Sequence, residues 1–189
     1  MTMKEIRICE IRAEAPAESL NLAGRPIVYE QPTVINDPAI GPYTEIVKRG
    51  ALDGCDISDA RLLFGHDVNR VPLARTPKTM QLTISAAGLE MAAQLADTAE
   101  ARAVHTAVDR GDLSGMSFAF VVPPGGDKWD MRTKTREIHK IKKVLEVSVV
   151  NFPAYPQASV EARASVQGFD EWTKAIIAVN KLLMKEVLL

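Results

Sequence analysis

The sequence has little cysteine, no long apolar run and no apolar leader, and each absence excludes a class of protein. Its two cysteines, Cys9 and Cys55, are too few and too far apart for a disulfide-bonded scaffold or a zinc site, so we expect a reducing compartment. No apolar run reaches the ~18 residues of a membrane-spanning helix. The opening residues, MTMKEIRICEIRAE, lack the apolar core of a signal peptide. We therefore expect a soluble cytoplasmic protein with no membrane partner.

An excess of charge of one sign is also missing. The chain has 23 basic and 24 acidic residues and a formal net charge of -1, which argues against nucleic-acid binding driven by overall charge. Hydrophobic residues make up 47% of the 189 positions, which is too many for a disordered chain. A chain of this length buries about two thirds of its unfolded surface. The composition predicts one folded domain, with or without a tail.

Short apolar segments between turn-forming residues predict a domain built mainly of strands. We expect strands at 4–13, 26–29, 62–64, 71–74, 81–85, 89–94 and 117–122, and a strand region at 135–152. The residues 31–42 contain three prolines and a glycine, which predicts a loop, and a brief helix is expected at 43–50. Many short strands indicate a barrel or a strongly bent sheet.

Two segments have helical spacing. TAEARAVHTAVDR can be capped by Asp97 or Thr98 and ends at Gly111. The C-terminal segment FDEWTKAIIAVNKLLMKEVL has an apolar stripe that either covers the domain's own core or docks on another chain. Together with the strands, these helices predict the α+β class.

Only three histidines are available for acid–base chemistry, and His66 has the most suggestive position. It leaves a short apolar strand, after a glycine and before an aspartate, and strand ends often display catalytic groups. The alternative is a ring that merely caps the strand end. We expect His105 to be structural and His139 to be a solvated strand residue. Nothing around Cys55 suggests a reactive thiolate.

The segment RGDLSGMSFAFVV offers a candidate nucleophile. Period-two alternation turns the aromatic residues to one face and Ser117 and Ala119 to the other. Ser117 thus follows a glycine turn and faces away from the aromatic core, where we expect open space for a substrate carbonyl. Gly115 and Met116 could donate N–H groups to an oxyanion. The alternative is an ordinary β-turn that contains two serines.

The segment KVLEVSVVNFPAYP offers a candidate carboxylate. Alternation places Leu145, Val147 and Val149 on one face and Glu146 and Ser148 on the other. A carboxylate beside apolar side chains needs a partner, and orienting a histidine is one such partnership. The alternative is an exposed sheet face, on which Glu146 needs no partner. The basic stretch 128–143 either protects an edge strand or binds an acidic partner.

Three segments in this order, at 62–76, 88–120 and 145–163, resemble the prohead maturation proteases of tailed bacteriophages. They read LLFGHDVNRVPLART, GLEMAAQLADTAEARAVHTAVDRGDLSGMSFAF and LEVSVVNFPAYPQASVEAR. That family is related in fold to the herpesvirus assemblins, so the resemblance implies a β-rich bent barrel flanked by helices. It also implies a protease domain at 1–163 and a C-terminal amphipathic helix or tail at 164–189.

The resemblance assigns a role to each candidate residue. The family's strand-end histidine falls on His66, its serine nucleophile on Ser117 and its acidic residue on Glu146. Ser114 is the alternative nucleophile, at a position that is more variable in the family. Where relatives carry glycine two residues after the serine, this chain has Ala119, which keeps that face small.

The resemblance also implies substrates and partners. The expected substrates are the major capsid protein, its scaffolding segment and the protease itself, cleaved inside the assembling prohead in the host cytoplasm. A homo-oligomer is expected, without nucleic acid, metal or cofactor. A different class of function is an inert capsid-assembly or scaffold-interaction protein with the same fold. A serine esterase is disfavoured because the sequence has no G-x-S-x-G motif.

Overall fold

A computed structural model describes residues 4–14, 20–37 and 40–151, with the side chains of the first range left out. These ranges contain twelve strands and one helix. The elements are β1 (Lys4–Glu14), β2 (Asn21–Val28), β3 (Thr33–Asp37), β4 (Gly41–Val47), β5 (Arg61–Phe64), β6 (Ala74–Arg75), β7 (Met80–Ser85), β8 (Gly88–Gln94), α1 (Ala99–Asp109), β9 (Gly115–Val121), β10 (Asp127–Asp130), β11 (Thr135–Ile138) and β12 (Lys143–Val150).

The strands form two sheets. The larger has eight strands in the order β6-β5-β12-β9-β1-β2-β8-β7, and the smaller has four in the order β10-β11-β4-β3. Most neighbours are antiparallel, whereas β5 with β12 and β4 with β11 are parallel. The α+β class is compatible with this architecture, in which β-structure dominates.

The larger sheet is open, so the prediction of a closed barrel is wrong for the strands described. Closure would require its end strands, β6 and β7, to pair with each other, and each has only one neighbour. The strand β6 has only two residues and is bracketed by Pro72 and Pro77, which have no backbone N–H to donate. Such a short strand cannot extend the ladder around a barrel.

One continuous core fills the space between the elements. It contains the fully buried Phe118 and Phe120 of β9, and the stripe Ala101, Val104 and Val108 packs α1 into the same core. The helix starts as predicted, because the Thr98 side chain accepts a hydrogen bond from the N–H of Ala101. The glycine-based stop is also confirmed, since Gly111 has a φ of +80° just after the last turn.

Two local predictions are wrong in the smaller sheet. The predicted loop at 31–42 contains β3, and the predicted helix at 43–50 is largely β4. The strand β4 alternates, with Tyr43, Glu45 and Val47 buried and the residues between them half-buried. That period-two pattern spans only seven residues, and so short a segment can be interpreted with either period.

The strand region expected at 135–152 divides between the two sheets. Its first part is β11 and its second is β12, and the turn between them is held by the N–H of Ile141 donating to the carbonyl of Ala51 at 2.7 Å. The basic stretch begins in β10, at an edge of the smaller sheet, but its Arg136 is buried on the inner strand β11 and pairs with Glu45 and Asp127, so the edge-protection interpretation stays a prediction. The predicted C-terminal helix lies outside the described residues.

Within the described ranges no helix is long and apolar enough to cross a membrane.

Candidate active site

Three neighbouring strands bring the candidate residues together. The order β5-β12-β9 places the strand before His66, the strand that carries Glu146 and the strand that carries Ser117 side by side. In the antiparallel pair of β12 and β9, Ser148 lies opposite Ser117 and Glu146 lies opposite Ala119. Residues directly opposite each other share a face of the sheet. Glu146, Ser148 and Ser117 therefore share one face.

A β-bulge sets which residues of β12 reach this face. The register shifts between Val144 and Glu146, so that Leu145 is an extra residue in the strand. Val144 is fully buried, as Val147 is, whereas Leu145 is only half-buried. The prediction that Leu145 shares a face with Val147 and Val149 is therefore wrong, because the bulge gives that place to Val144.

A strained turn presents His66. Gly65 and His66 both have a φ of +62°, a left-handed conformation that residues other than glycine adopt rarely. The turn is anchored to β12 by the N–H of Gly65, which donates to the Val149 carbonyl at 2.9 Å. Such strain persists only where surrounding contacts fix it, and it is concentrated at functional sites.

The His66 ring contacts the Glu146 carboxylate directly. Its Nδ1 lies 2.7 Å from Oε1 of Glu146, a distance typical of a charge-assisted hydrogen bond. The two side chains come from positions 80 residues apart in the chain. The ring therefore does more than end the strand, because it contacts a carboxylate on the neighbouring strand β12, and its catalytic role stays a prediction.

Glu146 is a buried carboxylate with a partner on each oxygen. Only 3% of the residue is exposed, so the interpretation of an exposed sheet face is wrong. Oε1 contacts His66, and Oε2 accepts a hydrogen bond of 2.5 Å from the Ser148 hydroxyl. Ser148 was not a predicted site residue, although its position two residues after Glu146 puts it on the same face.

Ser117 is buried, and its hydroxyl forms no hydrogen bond within the described part of the chain. Its exposed fraction is 0%, and its Oγ is one of the buried polar atoms there without a hydrogen-bond partner. The expected open space is therefore absent, and the serine–histidine hydrogen bond is not formed in this structure. A buried hydroxyl without a partner costs about 1–3 kcal/mol, so its retention calls for an explanation. A nucleophile that awaits its substrate is one.

The neighbouring candidates occupy different settings. Ser114 is exposed in the loop before β9. Gly115 and Met116 lie inside β9, with β1 on one side and β12 on the other. A strand flanked on both sides uses its N–H groups in the ladder, so an oxyanion role for these two residues stays a prediction that needs one N–H to be released.

The remaining titratable candidates have no place in this site. Burial raises the pKa of the Cys55 thiol to about 11, so the thiolate is scarce at neutral pH. His105 lies on α1. His139 is exposed and contacts Glu137, with Nε2 3.1 Å from the carboxylate.

Among the comparisons with known proteins, the scan against family models found a match. A family model described as caudovirus prohead serine protease matches residues 8–173, a range that includes His66, Ser117 and Glu146. No curated protein and no solved structure matches the chain significantly, so the likeness to the herpesvirus assemblins stays a prediction from the sequence. The family match covers most of the chain, and we conclude that the chain belongs to the caudovirus prohead serine protease family.

Proposed function

We propose that this protein is a serine endopeptidase that cleaves the capsid protein, its scaffolding segment and its own chain during prohead maturation. The observation that carries the proposal is the 2.7 Å contact between His66 Nδ1 and Glu146 Oε1. The next strand holds the Ser117 hydroxyl on the same face as that carboxylate. Family membership supports the class of substrate. The protein would act inside the assembling prohead, in the host cytoplasm.

The proposed reaction starts with proton transfer from Ser117 to His66. Because Glu146 holds Nδ1, the ring exchanges protons with the serine through Nε2. As the proton leaves, Oγ attacks the carbon of the peptide carbonyl and forms a tetrahedral intermediate. The imidazolium that results lies against the Glu146 carboxylate, which offsets its positive charge.

Collapse of the intermediate then breaks the peptide bond. His66 returns the proton to the leaving amine, and the acyl group stays on Ser117. A water molecule, deprotonated by the same ring, hydrolyses the ester and releases the second fragment. Backbone N–H groups near Gly115 and Met116 are the proposed oxyanion donors, and such donors contribute about 3–4 kcal/mol each in comparable sites.

Substrate access requires a change around Ser117. Because the hydroxyl has no exposed surface, a peptide carbonyl reaches it only after the groups that bury it move. We propose that the described conformation is a resting one and that the serine–histidine hydrogen bond forms on substrate binding. Catalytic hydrogen bonds are often incomplete before substrate is bound.

The competing function is an inert capsid-assembly protein that has kept the fold. Burial of Ser117 without a bond to His66 favours it. The strained turn and the paired, buried Glu146 favour the protease, because an inert protein gains nothing from keeping them.

Incubation of the purified full chain with uncleaved capsid precursor tests the proposal. Fragments resolved by gel and identified by mass spectrometry are expected from the wild-type protein and from Ser114→Ala, the matched control. Ser117→Ala should fold and yield none. If Ser117→Ala cleaves the precursor and Ser114→Ala does not, Ser114 is the nucleophile and our assignment of Ser117 is wrong. No fragments from any of the three proteins would support the inert assembly protein.

A further inference from the structure

We infer that Ser148 is a positioning residue that acts on His66 through Glu146. The inference rests on the proposed function and deepens it, since it adds a fourth side chain to the proposed relay. The chain of contacts runs from the Ser148 hydroxyl to one carboxylate oxygen and from the other oxygen to the imidazole.

The two contacts fix the rotation of the carboxylate. The terminal torsion of a glutamate is soft and has no sharply preferred angle. Ser148 Oγ holds Oε2 at 2.5 Å, which directs Oε1 toward Nδ1 of His66 at 2.7 Å. Without the hydroxyl, Oε2 loses the donor that sets this rotation, so the carboxylate that orients the histidine is itself held less firmly.

Burial makes the hydroxyl hard to replace. Ser148 has an exposed fraction of 0% and Glu146 one of 3%. A carboxylate oxygen that loses a buried donor has little access to water that could substitute for it. Loss of the donor therefore removes one of the contacts that hold the carboxylate against Nδ1, which disturbs the geometry of the relay.

The position of Ser148 also explains why the residue is small. It lies directly opposite Ser117 across the β12–β9 ladder, and side chains of such pairs are separated by about 5 Å at Cβ. Ser117 has no hydrogen-bond partner in the described residues, so the Ser148 proton is committed to Glu146. A bulky donor here would fill the space in which the proposed nucleophile must turn toward His66.

The test uses the full-length protein with Ser148→Ala and Ser148→Thr. Ser58→Ala is the matched control, because the Ser58 hydroxyl donates at 2.6 Å to a carboxylate two residues away in the chain, Asp56, outside the site. Each protein is examined for kcat and KM on capsid precursor and for thermal melting. In histidine-selective ¹⁵N NMR, the Nδ1–H proton of His66 is assigned with variants of the other two histidines.

Ser148→Ala should lower kcat by about 10- to 100-fold, the effect expected from loss of one hydrogen bond to a charged group, with KM nearly unchanged. It should also move the low-field Nδ1–H signal of His66 upfield or broaden it. Ser148→Thr, which keeps the hydroxyl, should restore the signal and most of the rate, and Ser58→Ala should change neither.

An unchanged His66 signal in Ser148→Ala would overturn the inference, and so would a lower rate explained by lower melting alone. If Ser148→Thr fails to fold, the signal in Ser148→Cys, a weaker donor of similar size, should lie between those of the wild type and Ser148→Ala. If the wild-type protein cleaves no substrate but its His66 signal still changes in Ser148→Ala, the result would support the positioning of Glu146 and overturn the proposed function.

Discussion

Among single residues, the buried polar groups Glu146 and Ser117 differ in whether they have hydrogen-bond partners. Both oxygens of Glu146 have partners inside the protein, whereas the Ser117 hydroxyl has none among the described residues. A carboxylate with a partner on each oxygen is suited to hold another group in place. An unpartnered hydroxyl is suited to form a new bond, because it gives up no existing contact.

Replacement of Glu146 by glutamine separates its charge from its shape. The amide keeps the volume but cannot offset an imidazolium, and its NH₂ group can face His66 in place of an acceptor. We expect kcat to fall by about 10²- to 10⁴-fold. Melting temperature should change little, because removal of a buried charge offsets the loss of its hydrogen bonds. Steady-state cleavage of capsid precursor and a thermal melt check both expectations.

A wild-type rate in Glu146→Gln would show that the carboxylate plays no electrostatic part in the reaction.

At the scale of secondary-structure elements, β12 performs two tasks at once. Val147 and Val149 pack into the core, while Glu146 and Ser148 lie on the face of the proposed site. Because Leu145 is an extra residue in the strand, Val144 lies opposite Phe120 while Glu146 lies opposite Ala119. Because one residue reverses the face of a strand, the bulge decides whether both tasks are possible.

Deletion of Leu145 should therefore damage the protein far more than truncation of its side chain. The deletion forces either Val144 off the core or Glu146 off the site, and loss of one buried valine costs about 1.5–3 kcal/mol. We expect lower thermal stability and no measurable cleavage. The matched control, Leu145→Ala, keeps the extra residue and should keep the activity.

Full activity and stability in the deletion variant would mean that the bulge has no role in the register of the site. Thermal melting and the capsid-precursor assay measure the two properties separately.

At the scale of the whole molecule, exposed ion pairs give stability a predictable dependence on pH. Hydrogen bonds from basic groups lower the pKa of Asp56, Asp59 and Asp97, through Lys143, Arg61 and Arg102 respectively. A carboxyl group whose pKa is lowered by folding stabilises the protein above its unfolded pKa, and the contribution is lost as pH falls toward the folded value.

The contribution of these carboxylates to the melting temperature should therefore be constant above about pH 5. The melting temperature should fall below about pH 4, where they become protonated in the unfolded chain. The pairs are exposed, so 0.5 M NaCl should flatten the acid side of the curve. Thermal melts between pH 3 and pH 7 at low and high salt provide the check. A melting temperature that stays constant down to pH 3 would contradict the expectation.

The sequence and the structure agree best where the information is local. The face of Glu146 follows from a period of two, and the helix before Gly111 follows from its cap and stripe. The His66–Glu146 contact joins strands far apart in the chain, and local pattern gives no register between them. Only the family resemblance predicted that pair.

The features that sequence reasoning missed depend on the rest of the molecule. An inserted residue such as Leu145 looks like any other in an alternating strand, so the bulge is invisible until a partner strand is known. Burial of Ser117 depends on what covers its face. The bond from Ser148 to Glu146 had a visible signal, two polar residues on one face, whose meaning required the histidine to be in place.

If His66 makes Ser117 a nucleophile, covalent labelling of Ser117 by a fluorophosphonate probe should depend on His66. The labelled residue is identified by mass spectrometry in the wild-type protein and in His66→Ala. We expect slow labelling at Ser117, because the hydroxyl is buried, and a large loss of labelling in His66→Ala. Labelling at Ser114, or equal labelling of Ser117 in both proteins, would show that His66 does not activate Ser117.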